Sequence, residues 1–110
     1  MKHAILALTA VLVAGPAAAA QKVTDVDFLR ANRCKGLAAT LTGVVDTGSL
    51  DSFIKAERGA RAQYVMDRAD EEFARAKKEA RSEDRKPRLT AELTTACQAY
   101  IGPASSVAKQ

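Results

Sequence analysis

Apolar positions in the first third of the chain recur at a helical spacing. Val26, Cys34, Leu37, Leu41 and Val44 fall on one stripe, close to the 3.6-residue period. The pattern predicts a helix over residues 25–46. Thr24, with Asp27 three residues on, has the spacing of a capping box. Gly36 and Gly43 lie inside this span on opposite sides of the Leu37 stripe, where a neighbouring helix can approach closely. Residues 46–49 (DTGS) read as a turn, and Ser49 or Asp51 can cap the next helix.

A second helix is predicted from Leu50, with Phe53, Ile54, Tyr64, Val65 and Ala69 near the helical period and Gly59 a candidate break. Unbroken to Arg85, it would be about 54 Å long. Residues 67–86 (DRADEEFARAKKEARSEDRK) are alanine-rich and heavily charged, with Phe73 as their one large apolar residue. The simplest reading is a solvated helix face. The sharper one is a helix that projects from the core and offers Phe73 to a partner. Pro87 predicts a stop, and Thr90 an N-cap for a third helix that carries Leu93, Cys97, Tyr100 and Ile101 on one stripe and ends at Gly102. No segment sustains strand alternation. The expected fold class is all-α: a small three- or four-helix domain stapled by one disulfide, after a cleaved signal peptide. The expected core is Val26, Leu29, Cys34, Leu37, Leu41, Val44, Phe53, Ile54, Val65, Leu89, Leu93, Cys97 and Ile101.

The N-terminus sets the compartment. Lys2 precedes an apolar run over residues 4–14, Gly15 and Pro16 break it, and Ala18-x-Ala20 forms a small-x-small cleavage site. This places a signal peptide at 1–20, a helical domain at 21–103 and a disordered tail at 104–110. The run is too short to span a bilayer as a helix, and no second one occurs downstream. The expected location is the bacterial periplasm, or secretion beyond it.

In an oxidising compartment the two cysteines pair, and with only two the connectivity is Cys34 to Cys97. A redox site would want CxxC, which is absent, or an exposed thiol beside basic groups. After leader removal the chain keeps sixteen basic and thirteen acidic residues, well mixed, and no nucleic-acid motif, so nucleic acid is not an expected partner. The only histidine, His3, lies in the leader. The commonest general base and metal ligand are therefore missing from the mature chain. No phosphate loop or haem motif occurs. Asp67, Asp70 and Glu71 cluster, but a hard cation usually needs more oxygen ligands. No cofactor, no metal and no enzymatic activity are expected. Lys55, Arg58, Arg61 and Arg68 suggest at most weak membrane-surface contact, since the apolar face beside them is thin.

The expected function is therefore protein binding, with oligomeric state left open and Phe28 and Phe73 as candidate partner contacts. Phe28 points away from the main stripe, although packing inside the domain is its more ordinary fate. The export signal, Cys34 and "LTTACQ" around Cys97 resemble the HdeA-type acid-stress chaperones. That resemblance implies an exported helical holdase with one disulfide joining distant helices. "CQAYIG" is similar to a Cys-x-x-Tyr-Ile-x-Gly segment of the Tai immunity family, which implies a dedicated inhibitor of a periplasm-acting toxin. A third expectation is an accessory subunit of an envelope complex, docked through the charged helix.

Overall fold

The first helix of the computed structural model, α1 (Asp25–Thr40), opens as the capping spacing predicts. The Asp27 N–H donates to the Thr24 hydroxyl at 3.1 Å, and the Thr24 N–H donates back to the Asp27 carboxylate at 3.0 Å. Such a cap contributes about 1 kcal/mol. The structure describes residues 22–102; the expected leader (1–20) and tail (104–110) lie outside them.

α1 ends at Thr40 rather than at 46. Gly43 takes the left-handed conformation at φ 82°, which suits glycine, and belongs to the turn after the helix. Val44 therefore leaves the helical stripe and is exposed; Val26 is 52% exposed. Both are removed from the expected core. The single-stripe reading fails because α1 is the central helix. Gly36, Leu37 and Ala38 are consecutive, so they point about 100° apart, yet all three are buried. Leu29 is only partly buried, and Phe28 is fully buried.

The turn holds Asp46, whose carboxylate accepts the Gly48 N–H at 2.9 Å, ahead of α2 (Gly48–Arg58). Neither Ser49 nor Asp51 is the N-cap; that position is Thr47. α2 buries Leu50, Phe53 and Ile54. Gly59 ends it, so the long helix is divided, and α3 (Gln63–Ala80) starts after a four-residue link.

α3 makes the molecule's most extensive packing, along α1. It does not project. Its buried face is small: Val65, Ala69, Ala76 and Ala80. Ala76 and the Phe73 backbone meet Gly36 of α1, so the helices approach by backbone contact there rather than through large side chains.

A short 3-10 turn (Glu83–Arg85) leads to α4 (Lys86–Thr94). Pro87 starts this helix instead of stopping the previous one. Its missing N–H is one that the first turn leaves unpaired anyway. Thr90 is consequently inside α4, not at its cap. α4 buries Leu89 and Leu93, and α5 (Gln98–Ile101) adds Tyr100 and Ile101. One core cluster joins α1, α2, α3, α4 and α5. The molecule is an all-α domain with a Cys34–Cys97 disulfide, as expected.

Candidate functional site

Cys34, in the middle of α1, and Cys97, immediately before α5, form the floor of a surface groove. Both sulfurs belong to residues at or below 4% exposure. Each is locked in the bridge, so neither is a nucleophile. The groove has a volume of about 360 Å³ and is walled by Arg30, Arg33, Glu92, Ala96, Ala99 and Tyr100. That is within the size range of pockets that take a small molecule or a partner's side chain.

Arg33 fixes one wall. Its Nε donates to Glu92 Oε2 at 2.6 Å and its Nη2 to Glu92 Oε1 at 2.9 Å, a two-pronged pair. The same Nη2 reaches Glu79 Oε2 at 3.1 Å. One guanidinium therefore ties α1 to both α3 and α4. The Glu92 hydrogen bonds outweigh the cost of burial and hold Arg33 firmly in its charged form.

Tyr100 fixes the other wall. Its hydroxyl donates to Asp27 Oδ1 at 3.0 Å, which latches α5 onto the capping box of α1. Burial alone would raise the Asp27 carboxyl. Hydrogen bonds from Thr24 and Tyr100, with the nearby charge of Arg30, overcome it and leave Asp27 below its ordinary value. Burial, and then the bond to Asp27, push the Tyr100 phenol up. The Tyr100 ring also packs on Phe53, with centroids 5.6 Å apart. Arg30 is the exposed charge at the rim.

A second, smaller groove of about 160 Å³ is lined by Asn32, Lys35, Ile54, Arg58, Asp70 and Phe73. Phe73 is half-buried here, with the Lys77 ammonium 4.9 Å above its ring. It is a wall of the fold rather than a protruding anchor. Phe28 is fully buried. Its ring lies under Arg61, 5.9 Å from the guanidinium carbon.

Arg61 is turned inward too. It donates to Asp25, to Glu57 and to the Val23 carbonyl, at 2.8, 2.7 and 3.1 Å, while its Nε is buried without a hydrogen-bond partner. Arg58 pairs with Asp70 at 3.6 Å. The basic face expected on the second helix is thus partly spent on the fold. Two of the three clustered carboxylates are engaged as well, Asp70 by Arg58 and Asp67 by Gln63. No group of three or more His, Cys, Asp or Glu suited to a metal ion occurs among the described residues. Among them, no helix is long and apolar enough to cross a membrane.

The disulfide and Tyr100 were visible in the sequence as stripe residues. Arg33 and Glu92 were not. Their separation of 59 residues leaves no local signal, and the flanking of Cys34 by charge gave no hint that Arg33 spans three helices. In comparisons with known protein families, with curated proteins and with solved structures, the chain matches none.

Proposed function

We propose that this chain is a non-enzymatic, exported binding protein that holds one dedicated protein partner, as an inhibitor or immunity protein does. The observation that carries the reading is the groove over the disulfide. Its floor is covalently fixed, its walls are held by the Arg33–Glu92 pair and the Tyr100–Asp27 latch, and between them it presents Ala96, Ala99 and the Tyr100 ring with Arg30 at the rim. A preorganised site of this kind loses little entropy on binding. Its shape suits a partner loop that inserts one apolar side chain beside an acidic residue facing Arg30. A disulfide is compatible with the oxidising compartment that the leader implies.

The test is affinity capture from native periplasm with tagged mature protein, run beside an Ala96→Arg variant. Ala96 is exposed and lines the groove, so arginine there fills it without entering the core. The expected result is one stoichiometric partner with the wild type and none with the variant. A partner that the variant also captures would overturn the groove as the site.

An acid-activated holdase is the second reading, and the Asp27–Tyr100 latch favours it. A carboxylate held below its ordinary value by the fold is a bond that acid removes. Against it, Val26, Val44 and Tyr64 are the exposed large hydrophobics among the described residues, so the folded state presents little apolar surface. Client capture gained only in acid would favour this reading over the first.

A further inference from the structure

We propose that the corner joining α3 to α4 is an electrostatic docking surface for an anionic phospholipid membrane. Residues 75–88 contain seven basic and three acidic residues, whereas the rest of the described chain contains eight basic and ten acidic. The positive charge of the domain is therefore concentrated at one connection.

Part of that charge serves the fold. Arg75 pairs with Glu72 at 3.0 Å, Lys86 with Glu83 at 2.6 Å, and Lys77 stacks on Phe73. Glu79 is committed to Arg33. The side chains of Lys78, Arg81, Arg85 and Arg88 are exposed and make no hydrogen bond or ion pair with the described residues. Asp84 is the one acidic side chain of the corner that likewise lacks a partner there.

Stability explains only half of these four. Lys78 and Arg81 sit at the C-terminal end of α3, where the helix dipole favours cations. Arg85 is the N-cap of α4 and Arg88 lies in its first turn, which has no acidic residue, and there the dipole disfavours them. Two arginines held at an unfavourable place, unpaired and in water, point to something outside the chain.

The composition selects the partner. Protein interfaces centre on aromatic and apolar anchors, with arginine enriched beside them and other charges depleted from the core. None of the exposed large hydrophobics, Val26, Val44 and Tyr64, lies in this corner. A lipid phosphate layer needs no such anchor, since clustered Lys and Arg bind it by charge alone. The contact is peripheral, fast and salt-sensitive. It is independent of the groove beside the disulfide.

The experiment is co-sedimentation of mature, disulfide-bonded protein with vesicles at low ionic strength, using pure phosphatidylcholine and a mixture with about one third phosphatidylglycerol. Binding is expected only to the anionic vesicles and is lost in high salt. Each surface cation is worth roughly fivefold in partitioning, so the double reversal Arg81→Glu, Arg85→Glu should weaken binding at least about tenfold. The reversal Lys55→Glu, Arg68→Glu makes the same change in net charge elsewhere and should alter it less than about threefold. Circular dichroism confirms that both variants keep the helical fold, as expected for exposed positions. Equal losses in the two variants, or no preference for anionic vesicles, overturn the proposal. Duplex DNA, or an acidic protein, that binds through Arg81 and Arg85 when vesicles do not would reassign the corner.

Discussion

Gly36 of α1 lies against the backbone of α3 at Phe73. A Cβ at position 36 would stand 2.5 Å from the Phe73 carbonyl oxygen and 2.8 Å from the Ala76 methyl. The hydrogen at this position, together with the Ala76 methyl, sets the spacing of α1 and α3.

Gly36→Ala therefore gains helix propensity and still destabilises. The propensity gain is about 1 kcal/mol, but the nearest obstacle is a carbonyl that cannot rotate away. Forcing the helices apart costs about 1–3 kcal/mol by the usual measure of overpacking. Urea denaturation should show a lower midpoint at unchanged slope. Gly59→Ala, where a Cβ meets nothing within 4 Å, is the control and should be near neutral or stabilising. A stabilising Gly36→Ala would show that the helices are not in backbone contact.

Loss of the disulfide is a larger effect. The bridge closes a loop with a sequence separation of 63, for which the chain-entropy model gives about 4 kcal/mol. The double variant Cys34→Ala, Cys97→Ala should lose about that much, a drop of about 15–30 °C in melting temperature for a domain this small. Thermal melts of the oxidised wild type and the variant check it. A drop of only a few degrees would mean that the reduced chain already holds the loop together.

Arg33 and Glu92 should be strongly coupled. Arg33→Ala strands two carboxylates on different helices, and Glu92→Ala removes the shorter of its two contacts. Each single change is expected to cost about 1–3 kcal/mol. A double-mutant cycle should return a coupling of about 1–2 kcal/mol, because the pair is bidentate and only partly exposed. Additive costs in the cycle would contradict a direct interaction.

The features readable in the sequence were those that are local or forced. The capping box at Thr24 and Asp27 is a three-residue signal, Gly59 is a helix break, and two cysteines allow one pairing. The all-α class came from the periodicity. The phase of α1 was not readable, because a helix buried on nearly all sides has no single stripe to trace, and so Phe28 was left off the main stripe and Val26 was put on it. The role of α3 was hidden for the opposite reason. Ala69, Ala76 and Ala80 carry too little side chain to register as a hydrophobic face, yet they are buried, and Ala76 lies directly against Gly36. Pro87 was ambiguous in principle, since proline ends one helix and begins another equally well. The groove walls depend on pairs such as Arg33–Glu92 and Tyr100–Asp27, separated by 59 and 73 residues, which only the tertiary fold brings together.

The Asp27–Tyr100 latch predicts how stability varies with pH. Asp27 has a folded-state value below the ordinary 3.8, so its contribution is present above that ordinary value and is lost as pH falls through the folded-state value. Tyr100 has a folded-state value above the ordinary 10.0, so its contribution is present below that ordinary value and is lost as pH rises through the folded-state value. The latch is thus fully formed across the neutral range and fails at both ends, in acid by protonation of the acceptor and in base by ionisation of the donor. Asp27→Asn should be less stable than wild type at about pH 7 and lose less stability between there and about pH 3. Tyr100→Phe keeps the ring against Phe53 and removes only the hydroxyl, so it should flatten the alkaline limb while retaining part of the acid limb, which Thr24 also sustains. Unfolding free energies by urea titration at closely spaced pH values give both slopes directly. Parallel acid limbs for wild type and Asp27→Asn would show that this carboxylate is not linked to folding, and would remove the observation on which the acid-activated reading stands.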